Sequence, residues 1–218
     1  AANIQAGGAA INVLGRAAGA SVRVVDVSLD HDVWGDERVS RSCGSIDRED
    51  AMDDDQVIRS LQIGQRVADQ EVDSGVDLLI AGDLGIGNTT PAAALIGAMT
   101  STEPVVVVGR GTGIDDEGWK RKVTAVRDAM YRVRAIKHDP IAVLKAISSP
   151  DLAAMAGFLA QAAVRRTPVL LDGVVVTSAA LMANKLAPGA RKWWVAGHKG
   201  AEPAHILALN SLHLDPLL

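Results

Sequence analysis

Behind the aliphatic run VDLLIA the chain reads GDLGIGNTTPAA, with glycines at 82, 85 and 87 followed by Asn88, Thr89 and Thr90. Glycines remove Cβ atoms and let backbone N–H groups approach an oxyanion. The Asn-Thr-Thr-Pro run stands where a following helix would present unpaired amides and the positive end of its dipole. Gly85, Ile86, Gly87, Asn88, Thr89 and Thr90 thus form a candidate phosphate loop with no lysine of its own, although a tight turn ending in an N-cap would use the same residue types. The pattern is neither GxxxxGK[ST] nor GxGxxG, which speaks against a nucleoside triphosphatase or an ordinary dinucleotide fold. A second loop, Gly109, Arg110, Gly111, Thr112 and Gly113, adds a guanidinium fork suited to phosphate or carboxylate.

Three segments pass from aliphatic residues to glycine plus an ionisable group: LLIAGD, PVLLDG and WWVAGH. In an open parallel sheet the carboxyl ends of strands share an edge, and ligands bind in the crevice outside it. Asp83, Asp172 with Gly173, and His198 should therefore share an edge, although Gly and Asp also simply make good turns. Lys120, Arg121 and Lys122 form a basic knot early in a helix. A repeat of about 3.6 residues sends Lys120 and Lys122 to different faces, so at most one should enter a site. His198 and His205 lack a third ligand, and no metal is expected.

The elements that must position these groups alternate. Helical spacing runs from Ile4 to Ala18, SVRVVDVSL reads as a strand, and the charged stretch from Asp30 to Asp55 reads as a long exposed loop. Asp53 can cap a helix ending at Ser74 and Gly75, followed by a strand from Val76 to Ala81 and the Ala-rich helix PAAALIGAMTS. PVVVVG is compatible with strand or buried helix. Asp115 and Asp116 open the next helix, and two more run from about Ile141 to Ser148 and Leu152 to Arg165. PVLLDG and KWWVAGH are strands, VVVTSAALMANKLA becomes helical in its second half, and EPAHILALNSLH is the last helix. Four strands separated by helices imply an α/β fold with a mainly parallel, Rossmann-like sheet and helices on both faces, in one domain over residues 1–218.

Composition narrows the partners. The formal charge of −4, with one Phe, one Tyr and four Trp, argues against nucleic acid and an acidic membrane surface. Small anions remain compatible, since they need only local positive charge. Cys43 is the single cysteine, which excludes an internal disulfide and a cysteine zinc site and suits the cytoplasm. VLLDGVVVTSAALMA is too short to span a bilayer and contains Asp172. The opening residues lack the basic start of a secretory signal.

With these residues assembled, the chain resembles the nicotinate-nucleotide:5,6-dimethylbenzimidazole phosphoribosyltransferase family from end to end. AGGAAINVLGR, GDLGIGNTTPAA, GRGTGIDDEG with its following RKVTAV, PVLLDGVVVTSAAL and GHKGAEPAH appear in the family's order, and GIGNTTPA is the most specific of them. The resemblance implies transfer of the phosphoribosyl group of nicotinate mononucleotide to 5,6-dimethylbenzimidazole, with nicotinate released and no cofactor, in a cytoplasmic homodimer. By matching motif, Gly85 to Thr90 and Gly109 to Gly113 would hold the 5′-phosphate. Asp83 stands where the family usually has a Glu near the base and ribose, Lys122 matches a lysine facing the same site, and Asp172 and Gly173 line the nucleotide pocket. The resemblance also places the family's general-base Glu beyond Leu218, and segments that help form the acceptor-base pocket before Ala1. Two rival readings use the same loops: a nucleotide-binding module without chemistry, and a related transferase with another acceptor base.

Overall fold

The computed structural model describes residues 2–218. Its first helical stretch is split, as α1 (Ala2–Gln5) and α2 (Ala10–Ala18), because Gly7 takes a left-handed φ of 76° between them. A long segment without regular structure leads to α3 (Asp54–Asp73). Asp53 caps that helix by accepting from the Gln56 N–H at 2.7 Å, and the Asp53 N–H in turn donates to Gln56 Oε1 at 3.0 Å. Strand β1 (Leu79–Ala81) and the buried helix α4 (Thr89–Thr100) follow. PVVVVG resolves as a single helical turn, α5 (Pro104–Val107), before α6 (Asp116–Arg132), α7 (Pro140–Ile147) and α8 (Pro150–Val164). Strand β2 (Val169–Leu171), α9 (Val174–Leu186), a 3-10 turn at Ala190–Trp193, β3 (Trp194–Ala196) and α10 (Pro203–Leu212) complete the order.

The fold is helix-dominated α/β around one small parallel sheet in the order β1-β2-β3. Ala81, Leu171 and Ala196 are in register, so the three chains leave the sheet at one edge. Leu79, Val169 and Trp194 face the core, whereas Ile80 and Val195 point the other way and are exposed.

The expected strand SVRVVDVSL does not form. It accepts two backbone bonds from the following loop, from the Val39 N–H to the Val27 carbonyl and from the Ser42 N–H to the Ser28 carbonyl, and it has no ladder partner. Side chains hold it instead. Arg23 reaches Glu71 and Gln70 of α3, and the wholly buried Asp26 pairs with Arg38. A buried carboxylate with its own cation satisfies the segment locally, so the β-branched residues around it never need a sheet. The β-branched start of VVVTSAALMANKLA also misleads: α9 is helical from Val174, with Val175 to Ala183 buried, because burial outweighs a few tenths of a kcal/mol of propensity.

Two buried helices organise the core. α4 is buried continuously from Pro91 to Ala98 and α9 from Val175 to Ala183. Helices apolar all round must lie inside. α8 packs on α3 through two glycines. A Cβ at Gly64 would stand 1.7 Å from the Ala154 carbonyl oxygen, and one at Gly157 would stand 2.2 Å from that of Leu61. The start of α8 is thereby fixed beside the loop that follows β1.

Candidate functional site

The chain leaves β1 at Gly82, turns through Asp83 and re-enters helix at Thr89. Gly87 has φ 85°, which a side chain would oppose, and this turn aims the start of α4 back over the sheet edge. The amides of Gly87, Asn88 and Thr89 donate to no protein atom among the described residues, while Thr90 N–H is spent on the Gly87 carbonyl. Ile86 is fully exposed at the tip of the loop. The Gly85 amide, expected to face a ligand, instead donates to Asp83 Oδ1 at 2.6 Å.

Asp83 is the most perturbed acid of the loop. Its Oδ2 is buried without a partner. Burial first, and then the charge of Asp151, push its carboxyl up to about 6, against the opposing help of the Gly85 amide and the Asn88 side chain. Asp151 comes from the first turn of α8, where the Ser149 hydroxyl and the Leu152 N–H (3.0 Å) both donate to its Oδ1. Its other oxygen lies 3.2 Å from the point a Gly85 Cβ would occupy. Sequence reading missed Asp151. Ser-Pro-Asp marks a helix start, but its meeting with Asp83 depends on how α8 packs.

Lys122 joins this group from α6. Its Nζ donates to Thr89 Oγ1 at 2.8 Å, and burial lowers its pKa while the charge of Glu202 opposes the fall. Lys120 turns away to pair with Glu117 at 2.8 Å, so one lysine of the basic knot enters and the other stays in solvent. Gly111 brings the second loop to the same place: a Cβ there would lie 3.6 Å from Thr89 Oγ1 and 3.8 Å from Lys122 Nζ. Gly111 and Gly113 both have positive φ, and the Gly113 amide closes the turn onto the Arg110 carbonyl. Arg110 itself is committed elsewhere, to Asp116 at 2.5 Å and the Ile114 carbonyl at 3.0 Å. Thr112 stands at the exposed crest of this loop. Glu202, also missed, accepts from the Gly111 N–H at 2.9 Å across 91 positions.

At the other two strand ends, His198 Nε2 lies 3.1 Å from Asp172 Oδ1, and Gly173 stands at the N-cap of α9. His205 packs edge-on against His198 with ring centroids 5.6 Å apart. It is buried, its Nδ1 accepts from the Gly200 N–H at 2.9 Å, and its Nε2 is buried without a partner. Burial and then His198 lower its pKa, with the charge of Asp172 opposing the fall. Among the described residues no group of three or more His, Cys, Asp or Glu is placed to hold a metal. No helix there is long and apolar enough to cross a membrane. The edge therefore combines free amides at a helix tip, one half-buried ammonium and a buried carboxyl, a set able to hold a phosphate and to face a developing positive charge.

Comparison with known proteins gives the family. A family model described as phosphoribosyltransferase matches residues 1–218. The nicotinate-nucleotide–dimethylbenzimidazole phosphoribosyltransferase of Corynebacterium glutamicum (strain R) is 72% identical over 216 residues, covering 99% of this chain and 60% of that protein. The protein of the same name from Mycobacterium ulcerans (strain Agy99) is 58% identical over 221 residues, covering 100% of this chain and 62% of its own length. The crystal structure of CobT from Thermus thermophilus superposes with a TM-score of 0.90 at 39% identity, over 99% of this chain and 66% of that one. The chain thus spans less than two thirds of the length of the relatives it matches.

Proposed function

From the premise that the chain belongs to the phosphoribosyltransferase family whose model it matches throughout, we propose that it moves a phosphoribosyl group from nicotinate mononucleotide to 5,6-dimethylbenzimidazole. The observation that carries this reading is the meeting of Lys122, Thr89 and Gly111 at the tip of α4, beside the buried Asp83 carboxyl. The 5′-phosphate takes the amides of Gly87, Asn88 and Thr89, with Lys122 supplying the charge. Asp172 and Gly173, at the neighbouring strand end, line the nucleotide pocket.

In the reaction the bond from the anomeric carbon to the pyridine nitrogen breaks, and its electron pair leaves with nicotinate. The leaving group is already cationic at that nitrogen and needs little acid help. A benzimidazole nitrogen attacks from the opposite face with inversion, and the proton on its other nitrogen passes to a carboxylate base. By resemblance that base is a Glu beyond Leu218. Above pH 6 Asp83 is ionised, and its charge steadies the positive character that builds on the ribose as nicotinate departs. Holding both reactants in one cleft supplies much of the remaining rate. The same reading makes the protein a cytoplasmic homodimer.

The test is direct: incubate the full-length protein, including the segments that the resemblance places before Ala1 and beyond Leu218, with both substrates and follow nicotinate release. Release that depends on the benzimidazole is expected; none at high enzyme concentration removes the transferase reading.

A further inference from the structure

Glu202 stands just before α10, where an acidic side chain would ordinarily accept from its own helix. It makes no such bond. It crosses instead to the second glycine loop, where its Oε1 accepts from the Gly111 N–H at 2.9 Å. The approach is possible only because position 109 has no side chain, since a Cβ at Gly109 would stand 2.1 Å from Glu202 Oε2. Gly111 in turn lies against both Thr89 and Lys122. One carboxylate thus ties the start of α10, the Gly109–Gly113 loop and the α4 tip together.

We infer that Glu202 is a positioning residue for nucleotide binding, setting the Gly109–Gly113 loop against Thr89 and Lys122 at the phosphate site. The inference rests on the transferase reading for its ligand. Lys122 is half-buried, and desolvation alone would favour its neutral form. Glu202 is the acid whose charge opposes this. The other elements packed around α6 offer no substitute: α4 and α5 contain no ionisable residue. On α7, Lys145 pairs with Asp54, and on α6 itself Lys120 pairs with Glu117. In the second loop Arg110 pairs with Asp116, and on α10 His205 is bonded to the Gly200 amide. Glu202 therefore acts through Lys122 and the loop.

Calorimetry with nicotinate mononucleotide on the intact chain tests this. In Glu202→Gln the Kd should rise roughly tenfold, equivalent to about 1.4 kcal/mol. Glu202→Asp, which keeps the charge, should recover part of the affinity, and binding of 5,6-dimethylbenzimidazole should not change. The loss of nucleotide affinity at alkaline pH should also begin at lower pH in Glu202→Gln, because removing the acid lets Lys122 deprotonate sooner. A purely structural role would not move that limb. Gly109→Ala, which displaces the carboxylate without removing it, should weaken binding in the same direction and serves if Glu202→Gln does not fold. Unchanged or tighter nucleotide binding in these variants overturns the inference and leaves the transferase reading standing, as judged by wild-type nicotinate release. A wild-type chain that binds no nucleotide overturns both.

Discussion

Asp151 lies against Asp83 around Gly85, so that two acids 68 positions apart share one hydrogen-bonded, half-buried space. Burial of the Asp83 carboxyl, with its Oδ2 unpartnered, disfavours its ionisation, and the nearby charge of Asp151 adds to the effect. Burial and Asp151 together raise the pH at which Asp83 becomes an anion.

Replacing Asp151 with Asn keeps the shape and removes the charge. One of the causes raising Asp83 is then lost, and its pKa falls from about 6 towards the ordinary carboxylate range. The acid limb of kcat/KM for nicotinate release should move to lower pH in Asp151→Asn, while the rate above pH 7 changes little. A pH–rate profile reads this, and an unmoved limb would mean that the two carboxyls are electrically independent.

Asp83 also has a stability consequence whose sign is fixed by linkage. Its pKa is higher in the folded chain than in the unfolded one, so the native state binds more protons between the ordinary value of 3.8 and about 6. Stability from this group is present below pH 3.8 and declines as pH rises to 6; above that, the ionised carboxyl opposes folding by on the order of 2 to 3 kcal/mol. Asp83→Asn keeps an acceptor for the Gly85 amide and removes the charge. It should raise Tm at pH 8 and leave it almost unchanged at pH 4, while slowing nicotinate release. Thermal melts at the two pH values decide this, and an equal shift at both would tie the effect to packing instead.

Much of this site was legible in the sequence. The parallel strand ends carrying Asp83, Asp172 and His198, the helix opening at Thr89 and the divergence of Lys120 from Lys122 all follow from local periodicity and turn chemistry. What escaped was decided by contacts distant in sequence. Asp151 and Glu202 look like ordinary helix-start acids, and only tertiary packing turns one toward Asp83 and the other toward Gly111. Arg110 escaped for the converse reason: a guanidinium beside a glycine loop suggests a phosphate, yet Asp116 lies within its reach at the start of the next helix. SVRVVDVSL has strand composition, but the Asp26–Arg38 pair removes its need for a ladder.

The placement of Asp151 depends in turn on Gly64 and Gly157, where α3 and α8 approach backbone to backbone. A methyl at Gly64 would meet the Ala154 carbonyl oxygen at 1.7 Å and the Phe158 nitrogen at 2.7 Å. Neither is a flexible side chain that can swing aside, so the helices must separate. Overpacking of this kind costs about 1–3 kcal/mol, and a clash with backbone belongs at the upper end or beyond it. In a chain of this size about 3 kcal/mol lowers Tm by roughly 6–12 °C. Gly64→Ala should therefore melt at least that much lower, as followed by circular dichroism. Because α8 carries Asp151 on its first turn, separation should also withdraw that acid from Asp83, and the acid limb of nicotinate release should fall as it does in Asp151→Asn. A lower Tm with an unmoved limb would show that the start of α8 is held by the local bonds of Asp151 to Ser149 and Leu152 and not by the glycine contact.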